Sequence, residues 1–359
     1  MKEKHGPGIA FLFCVYMDLQ QHQRALAKAV LPENYNPNTE NNETMAKKKP
    51  IAILVHGGAG PDSDHIHENK KGYEKGIQEA VDAGYKILED GGSAVDAVEA
   101  AVKTLEDNPL FNAGRGSALN ASGEVEMDAA IMRGSDQASG AVALVRNIRN
   151  PVSLAKAVML NTKYRFLGDM GALEYAKKID IRMEPSSYFI TEHQFDAFSK
   201  KREEEFTSSD RIGLDELNAR IHGTVGAVAL DREGNLAAAT STGGTENKKM
   251  GRIGDSCLIG VGCYAKNKTC AISGTGDGEV LIKNVIAYDI SALMEYKGLT
   301  LQKACETVVL ERVKPEEGDV GVIGVDPQGN IALVFNSDRM HRGWRTTSNQ
   351  RGVEIYNKK

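Results

Sequence analysis

One pattern occurs twice in this chain and restricts its fold more than any other: a short apolar run, a five-residue turn containing glycine, and a second apolar run. Val225 to Leu230, Asp231-Arg-Glu-Gly-Asn235 and Leu236 to Ser241 form the first copy; Gly321 to Val325, Asp326-Pro-Gln-Gly-Asn330 and Ile331 to Phe335 form the second. A connection this short joins antiparallel strands, because a parallel pair needs a crossover of about a dozen residues or more. Between the copies lie an apolar run at Thr269 to Ser273, read as a strand, and a helical stripe from Val280 to about Tyr296. Strands and helices segregate into runs, which excludes a doubly wound parallel sheet. The expected class is α+β, with stacked antiparallel sheets and helices packed outside them.

The first half of the chain fits that plan. Ile51-Ala-Ile-Leu-Val55 reads as a buried strand, and His56-Gly-Gly-Ala-Gly60 as a glycine loop after it. Tyr73, Ile77, Ala80, Val81, Ile87 and Leu88 recur at helical spacing; after Gly91-Gly92, Ser93 and Asp96 form a capping box opening a second helix with the stripe Val95, Val98, Val102 and Leu105. Val125 to Ile131 and Ala141 to Val145 read as strands, and Ser153 through the region of Tyr175 as helical. From 183 to 220 the chain is strongly charged, with scattered apolar residues, and reads as an exposed connection.

Composition excludes several classes. With 41% hydrophobic and 26% charged residues the chain can bury a large core, and a net charge of -5 gives no basic footprint for nucleic acid or an anionic membrane. Cys14, Cys257, Cys263, Cys270 and Cys305 show no zinc spacing and read as reduced thiols. Residues 1–45 differ from the rest. The apolar run from Gly8 to Met17 is too short to span a bilayer, no small-x-small cleavage site follows it, and 33–44 is a polar stretch without periodicity. The expectation is an extension to a single domain over 46–359, with Met45 as the translation start and a cytoplasmic location. Export is the alternative if residues 1–30 act as a signal peptide.

The chemistry is concentrated after the charged connection. Gly223-Thr224-Val-Gly puts a small residue before a threonine that opens a strand. A threonine hydroxyl needs an adjacent base; cleavage of the preceding bond would free an α-amine with an unperturbed pKa of roughly 7.7–8.0 to act as one. Taken alone, the tetrapeptide is a weak signal and reads first as an ordinary strand start. Thr240-Ser-Thr-Gly-Gly244, Gly251-Arg-Ile-Gly-Asp-Ser256 and Ser273-Gly-Thr-Gly-Asp-Gly-Glu279 then follow in loops after strands. Val55-His-Gly-Gly-Ala-Gly60, Gly91-Gly-Ser-Ala-Val-Asp-Ala-Val98 and Asn108-Pro-Leu-Phe-Asn-Ala-Gly-Arg-Gly116 stand upstream. In this unbroken order over roughly 50–356, the set resembles the plant-type asparaginase and isoaspartyl peptidase family of N-terminal nucleophile threonine hydrolases.

The resemblance implies a four-layer αββα sandwich and self-cleavage between Gly223 and Thr224. An α subunit would end at Gly223 with a linker over about 183–223, a β subunit would span 224–359, and the assembly would be an (αβ)2 dimer. It makes Thr224 nucleophile and base, Thr242 its orienting hydrogen-bond partner, and the Thr275 hydroxyl and Gly276 N–H the oxyanion donors. Asn112 would support the nucleophile's surroundings, while Arg252, Asp255 and the Gly278 carbonyl hold a zwitterionic aspartyl head group. No catalytic cofactor is implied. The loop over 105–115 resembles a sodium loop, in which backbone carbonyls of Leu105, Glu106, Asn108, Phe111, Ala113 and Arg115 would ligate the ion.

Two positions depart from the family pattern: Cys257 stands where proline usually follows Gly-Asp-Ser, and Val261 precedes Gly262 in place of a smaller residue. Among other polar residues, His65 and His67 read as solvated in a polar loop, His222 as part of the precursor end, and Asp128 as a hydrogen-bonded structural carboxylate. The implied activity is hydrolysis of L-asparagine and of β-aspartyl dipeptides. Glycosylasparaginase chemistry is the rival, although there the threonine follows Asp where this chain has Gly223; a protease of the taspase kind fits the head-group residues less well. A non-catalytic nucleotide-binding module built on the glycine loops would predict no self-cleavage, so one denaturing gel separates it from the catalytic readings.

Overall fold

A computed structural model of the chain describes residues 49–207 and 223–357. In chain order the strands of the first half are β1 (Ala52–Gly60), β2 (Met127–Arg133), β3 (Ser139–Val145) and β4 (Phe166–Gly168). Those after Gly223 are β5 (Val225–Leu230), β6 (Leu236–Thr242), β7 (Cys263–Ala265), β8 (Ala271–Gly276), β9 (Val320–Val325), β10 (Ile331–Phe335), β11 (Arg339–Thr346) and β12 (Arg351–Glu354). They pair into an eight-stranded sheet ordered β12-β11-β1-β5-β6-β2-β3-β4 and a four-stranded sheet ordered β10-β9-β8-β7. Neighbours run antiparallel except β3 and β4.

The alternation of side chains along each strand divides the large sheet between two cores. Ile53 and Val55 of β1, Ala227 and Ala229 of β5 and Ala237 and Ala239 of β6 pack with helices α1 (Lys70–Glu89), α2 (Ala94–Glu106) and α3 (Pro151–Asn161). Ala52, Leu54, Val228, Leu230 and Ala238 point the other way, toward the small sheet, whose Ser273 and Ile323 face them. The outer face of the small sheet is covered by helices α4 (Gly278–Asn284), α5 (Ile286–Lys297) and α6 (Leu301–Glu306). The result is the αββα order of layers. Both turn-linked pairs, β5–β6 and β9–β10, are formed as the sequence predicts, one in each sheet. Ser93 Oγ accepts the Asp96 N–H at 3.1 Å and donates to Asp96 Oδ2 at 2.6 Å, so Ser93 caps the start of α2.

Other expectations are corrected. The helix expected from Val280 to Tyr296 is two helices, because Val285 takes a left-handed φ of 48° between α4 and α5. The helical run expected from Ser153 to Tyr175 is likewise divided, with β4 between α3 and a second helix at Asp169–Lys178. The glycines after His56 form no loop; they continue β1 through a bulge between His56 and Ala59. His65 and His67 lie on a short helix, Asp64–Glu68. Part of the supposed exposed connection carries helices Ser186–Phe189 and Glu192–Thr207, with Phe189 in the core. The extension over 1–45, the Met45 start, Cys14 and His222 lie outside the described residues. Cys257, Cys263, Cys270 and Cys305 are buried and unpaired. No helix among the described residues is long and apolar enough to cross a membrane.

Candidate active site

Strand parity decides where Thr224 faces. It opens β5, in the middle of the large sheet between β1 and β6, on the side turned toward the small sheet. The Thr224 Oγ1 lies 3.2 Å from Ser256 Oγ, in a position only 5% exposed. The nearest histidine in register is no base: His56 is fully buried, with Nε2 2.8 Å from Ser273 Oγ, and burial pulls its pKa down to about 3. Among the described residues no Ser-His type of nucleophile activation is present around Thr224, and the partner of its hydroxyl is another hydroxyl.

Thr242 ends β6, the strand paired with β5. Its Oγ1 accepts the Gly244 N–H at 3.0 Å and donates to the Gly223 carbonyl oxygen at 3.1 Å. This differs from the expected bond to the Thr224 hydroxyl, and the reason is the intact Gly223–Thr224 bond, whose carbonyl takes the hydrogen. Asn112 closes the other flank. Its Nδ2 donates to the Gly244 carbonyl at 2.6 Å and its Oδ1 accepts the Ala118 N–H at 2.8 Å. Thr275 is fully buried on β8, where its Oγ1 accepts the Ala59 N–H at 3.2 Å; Gly276 reaches the pocket wall.

Gly223, Thr224, Thr242, Gly276 and Gly278 line the same small pocket as Arg252 and Asp255. The loop bearing these two charges is pinned from β2. Glu126 Oε2 accepts the Gly251 N–H at 3.1 Å and Asp128 Oδ2 accepts the Gly254 N–H at 3.3 Å, so both sides of Arg252 are fixed by carboxylates. Asp128 is thus the structural carboxylate expected. At Gly278 a side chain would be excluded, since a Cβ there would lie 2.9 Å from Arg252 Nη2 and 3.0 Å from Asp255 Oδ1.

The two charges differ in how they are satisfied. Arg252 grips Glu279 through Nε and Nη2 at 2.8–3.0 Å. Asp255 is buried, its Oδ2 has no hydrogen-bond partner among the described residues, and desolvation pushes its carboxyl up to about 7 against the opposing pull of Arg252. An unpaired buried carboxylate is costly unless a cation arrives, and an ammonium beside it would supply the missing donor. The space now open measures about 10 Å³, room for little more than one water, so a head group needs the Arg252 fork to leave Glu279.

The loop after α2 is compact. The Glu106 carbonyl accepts the Arg115 N–H at 2.7 Å, Leu105 and Asn108 carbonyls accept from Asn108 and Phe111, and the Phe111 carbonyl accepts from Ala113. Each of these oxygens retains a second lone pair, and carbonyl oxygens are suited to a hard cation.

Sequence reasoning brought together Thr224, Thr242, Arg252, Asp255, Gly276 and Gly278. It missed Ser256 as the hydroxyl partner, Glu279 as the occupant of Arg252, and Glu126 as a support. Ser256 and Glu279 stood in the quoted motifs, but only the closing of the loops shows what they touch.

Two face-to-face sheets between helical layers, with a strand-opening threonine whose hydroxyl has no neighbouring base among the described residues, have the plan of an N-terminal nucleophile hydrolase. The family model described as asparaginase matches residues 49–355, and the chain belongs to that family. It is 43% identical over 306 residues to the isoaspartyl peptidase of Salmonella typhimurium, covering 85% of this chain and 98% of that one. A probable isoaspartyl peptidase/L-asparaginase of Arabidopsis thaliana is 39% identical over 323 residues (85% and 98%), and an isoaspartyl peptidase/L-asparaginase of Bos taurus 43% over 288 residues (80% and 91%).

Proposed function

We propose that the chain cleaves itself between Gly223 and Thr224 and then hydrolyses the side-chain amide of L-asparagine and the β-linked peptide bond of β-aspartyl dipeptides. The observation that carries this reading is the meeting, in one pocket, of the Gly223–Thr224 bond with an unsatisfied carboxylate and an arginine fork.

In self-cleavage the Thr224 Oγ adds to the Gly223 carbonyl carbon, and Thr242, already hydrogen-bonded to the carbonyl oxygen, stabilises the alkoxide that develops there; the Gly223–Thr224 C–N bond then breaks with the hydroxyl proton passing to the departing nitrogen, and water hydrolyses the resulting ester to leave a Gly223 carboxylate and a free Thr224 hydroxyl. The amine freed at Thr224 then serves as the base for its own hydroxyl. Arg252 holds the substrate α-carboxylate, and Asp255, with the Gly278 carbonyl, holds the α-ammonium. The Thr224 Oγ adds to the β-carbonyl, with Thr275 and Gly276 as oxyanion donors; the C–N bond breaks and ammonia or an amino acid leaves with the proton. Water adds to the ester and aspartate departs. Asn112 keeps the Gly243–Gly244 turn in place around the nucleophile.

The assembly is two processed protomers, which sedimentation would detect; a monomer would refute that part. The four buried reduced thiols support a cytoplasmic location, to be checked by fractionation. The carbonyls of Leu105, Glu106, Asn108, Phe111, Ala113 and Arg115 would hold a structural sodium. If so, replacing sodium by choline lowers the melting temperature; an unchanged value removes the ion from the account.

The main test is a denaturing gel and an ammonia assay. Wild type gives two fragments, one beginning at Thr224, and releases ammonia from asparagine and leucine from β-aspartyl-leucine. Thr224→Ala stays intact and inactive; turnover by that variant would refute the assignment.

A further inference from the structure

Gly223 borders two cavities. One is the head-group pocket; the other, of about 140 Å³, is walled by His65, Tyr73, Asn112, His193, Arg339 and His341. By the same measure a water needs about 10–15 Å³, so the second cavity has room for an amino acid rather than for a few waters. Its chemistry is unusual for an interior. Arg339, on β11, is 4% exposed; its Nη1 lies 3.3 Å from His341 Nδ1, while its Nε reaches no acceptor among the described residues. None of the ion pairs among the described residues includes it. His341 Nε2 is likewise without a partner, and burial, followed by the Arg339 charge, holds the imidazole well below its ordinary pKa and therefore neutral. His65 and His193 stack at 3.6 Å across the same space.

A guanidinium this deep makes no ion pair among the described residues, although Glu246 lines the same cavity, and such a charge is expensive to maintain; a planar carboxylate compensates it, since an arginine fork binds one through two parallel hydrogen bonds. We infer that this cavity receives the leaving half of a β-aspartyl peptide and that Arg339 binds its free α-carboxylate. The inference rests on the function proposed above. With the aspartyl half in the head-group pocket and its β-carbonyl at Thr224, the departing amine must extend away from Arg252. Gly223, the residue on the far side of the self-cleaved bond, stands between the two spaces in the uncut chain. Cutting that bond frees the passage for a substrate to span both. Asparagine, which loses only ammonia, leaves the second cavity unused.

The experiment compares β-aspartyl-leucine with β-aspartyl-leucinamide, which lacks only the terminal charge, on the processed enzyme, with asparagine run alongside. A carboxylate site gives wild type a kcat/KM at least tenfold higher for the acid than for the amide. In Arg339→Gln that preference falls to near one, and Arg339→Lys recovers part of it. Equal use of acid and amide by wild-type enzyme that still hydrolyses asparagine overturns this inference and leaves the proposed function standing. Failure to turn over asparagine and both peptides overturns the two together. If Arg339→Gln does not fold, the wild-type comparison decides alone, because it alters the substrate and not the protein.

Discussion

Replacing Thr242 by valine tests the account of self-cleavage with a near-isosteric change. The hydroxyl makes two contacts: it donates to the Gly223 carbonyl at 3.1 Å and accepts from the Gly244 N–H at 3.0 Å. In the resting chain each is an ordinary neutral hydrogen bond, with a net contribution of about 0.5–1.5 kcal/mol. As the Thr224 oxygen adds, the carbonyl oxygen becomes an alkoxide and the first contact becomes charge-assisted. Losing one donor at such a site typically costs about 2.7–4 kcal/mol in the barrier, or about 10²–10³ in rate. The stability cost is separate: the Gly244 N–H is left buried without an acceptor, a loss of about 1–3 kcal/mol. Thr242→Val should therefore fold with a lowered melting temperature and cleave at least a hundredfold more slowly, scored by the appearance of the fragment starting at Thr224. Thr242→Ser, which keeps the hydroxyl, should cleave within a few-fold of wild type. A folded Thr242→Val precursor that cleaves at the wild-type rate would refute the oxyanion role.

Three further outcomes follow from the same site. Burial raises the Asp255 carboxyl from 3.8 to about 7, so the folded state holds a proton between those values that the unfolded state has released. The stability this gives is complete below 3.8 and is lost as pH rises through about 7, amounting to about 4 kcal/mol at most. Asp255→Asn should accordingly be more stable than wild type at pH 8 in denaturant titrations and inactive; a variant less stable at that pH would show the carboxylate to be well paired. Succinamate, which is asparagine without its ammonium, should lose more turnover than β-alaninamide, which lacks the carboxylate, and the reverse order would reassign the dominant contact to Arg252. Gly226→Ala should be destabilised by several kcal/mol in thermal unfolding, because its Cβ would lie 2.0 Å from Ser273 Oγ and 2.4 Å from His56 Nε2; wild-type stability would mean that β1 and β8 can separate.

The sheets were legible because local chemistry sets them. The turn of Asp231 to Asn235 repeats at Asp326 to Asn330, and in both the first aspartate accepts N–H groups from within the turn, so five residues suffice to specify the reversal. The elements misread were set by tertiary context. Val285 follows an unbroken helical stripe and carries no glycine or proline to mark a stop, yet the chain turns there so that α4 and α5 can both cover the small sheet. The glycines after His56 look like a loop in isolation; the chain bulges there and rejoins β11 at Ala59 and Gly60, which keeps the segment in the sheet. Within the site, the residue types and their order could be read from the motifs. Partner choice could not, because the Thr242 hydroxyl donates to the Gly223 carbonyl, an acceptor held there by the intact peptide bond rather than by the motif.

The pairing of the two head-group charges in the uncut chain bears on which end of the substrate carries recognition. Arg252 has a partner, but Glu279 is 64% exposed, and a pair of that kind contributes only about 0–1 kcal/mol. Exchanging the Glu279 carboxylate for the substrate's replaces one such bond with another and returns a solvated side chain to water, so the net gain is small. Asp255 has no partner for Oδ2 and sits where desolvation already resists its ionisation. An ammonium there supplies a donor that Oδ2 lacks among the described residues and adds to the pull of Arg252, and the low local dielectric strengthens that contact. Under the proposed function the carboxylate grip would thus serve mainly to orient the substrate, while the ammonium contact would select it. The β2 carboxylates explain how an under-satisfied acid is retained: Glu126 and Asp128 hold the Gly251–Gly254 loop by its backbone, and the position of Asp255 does not depend on a partner of its own.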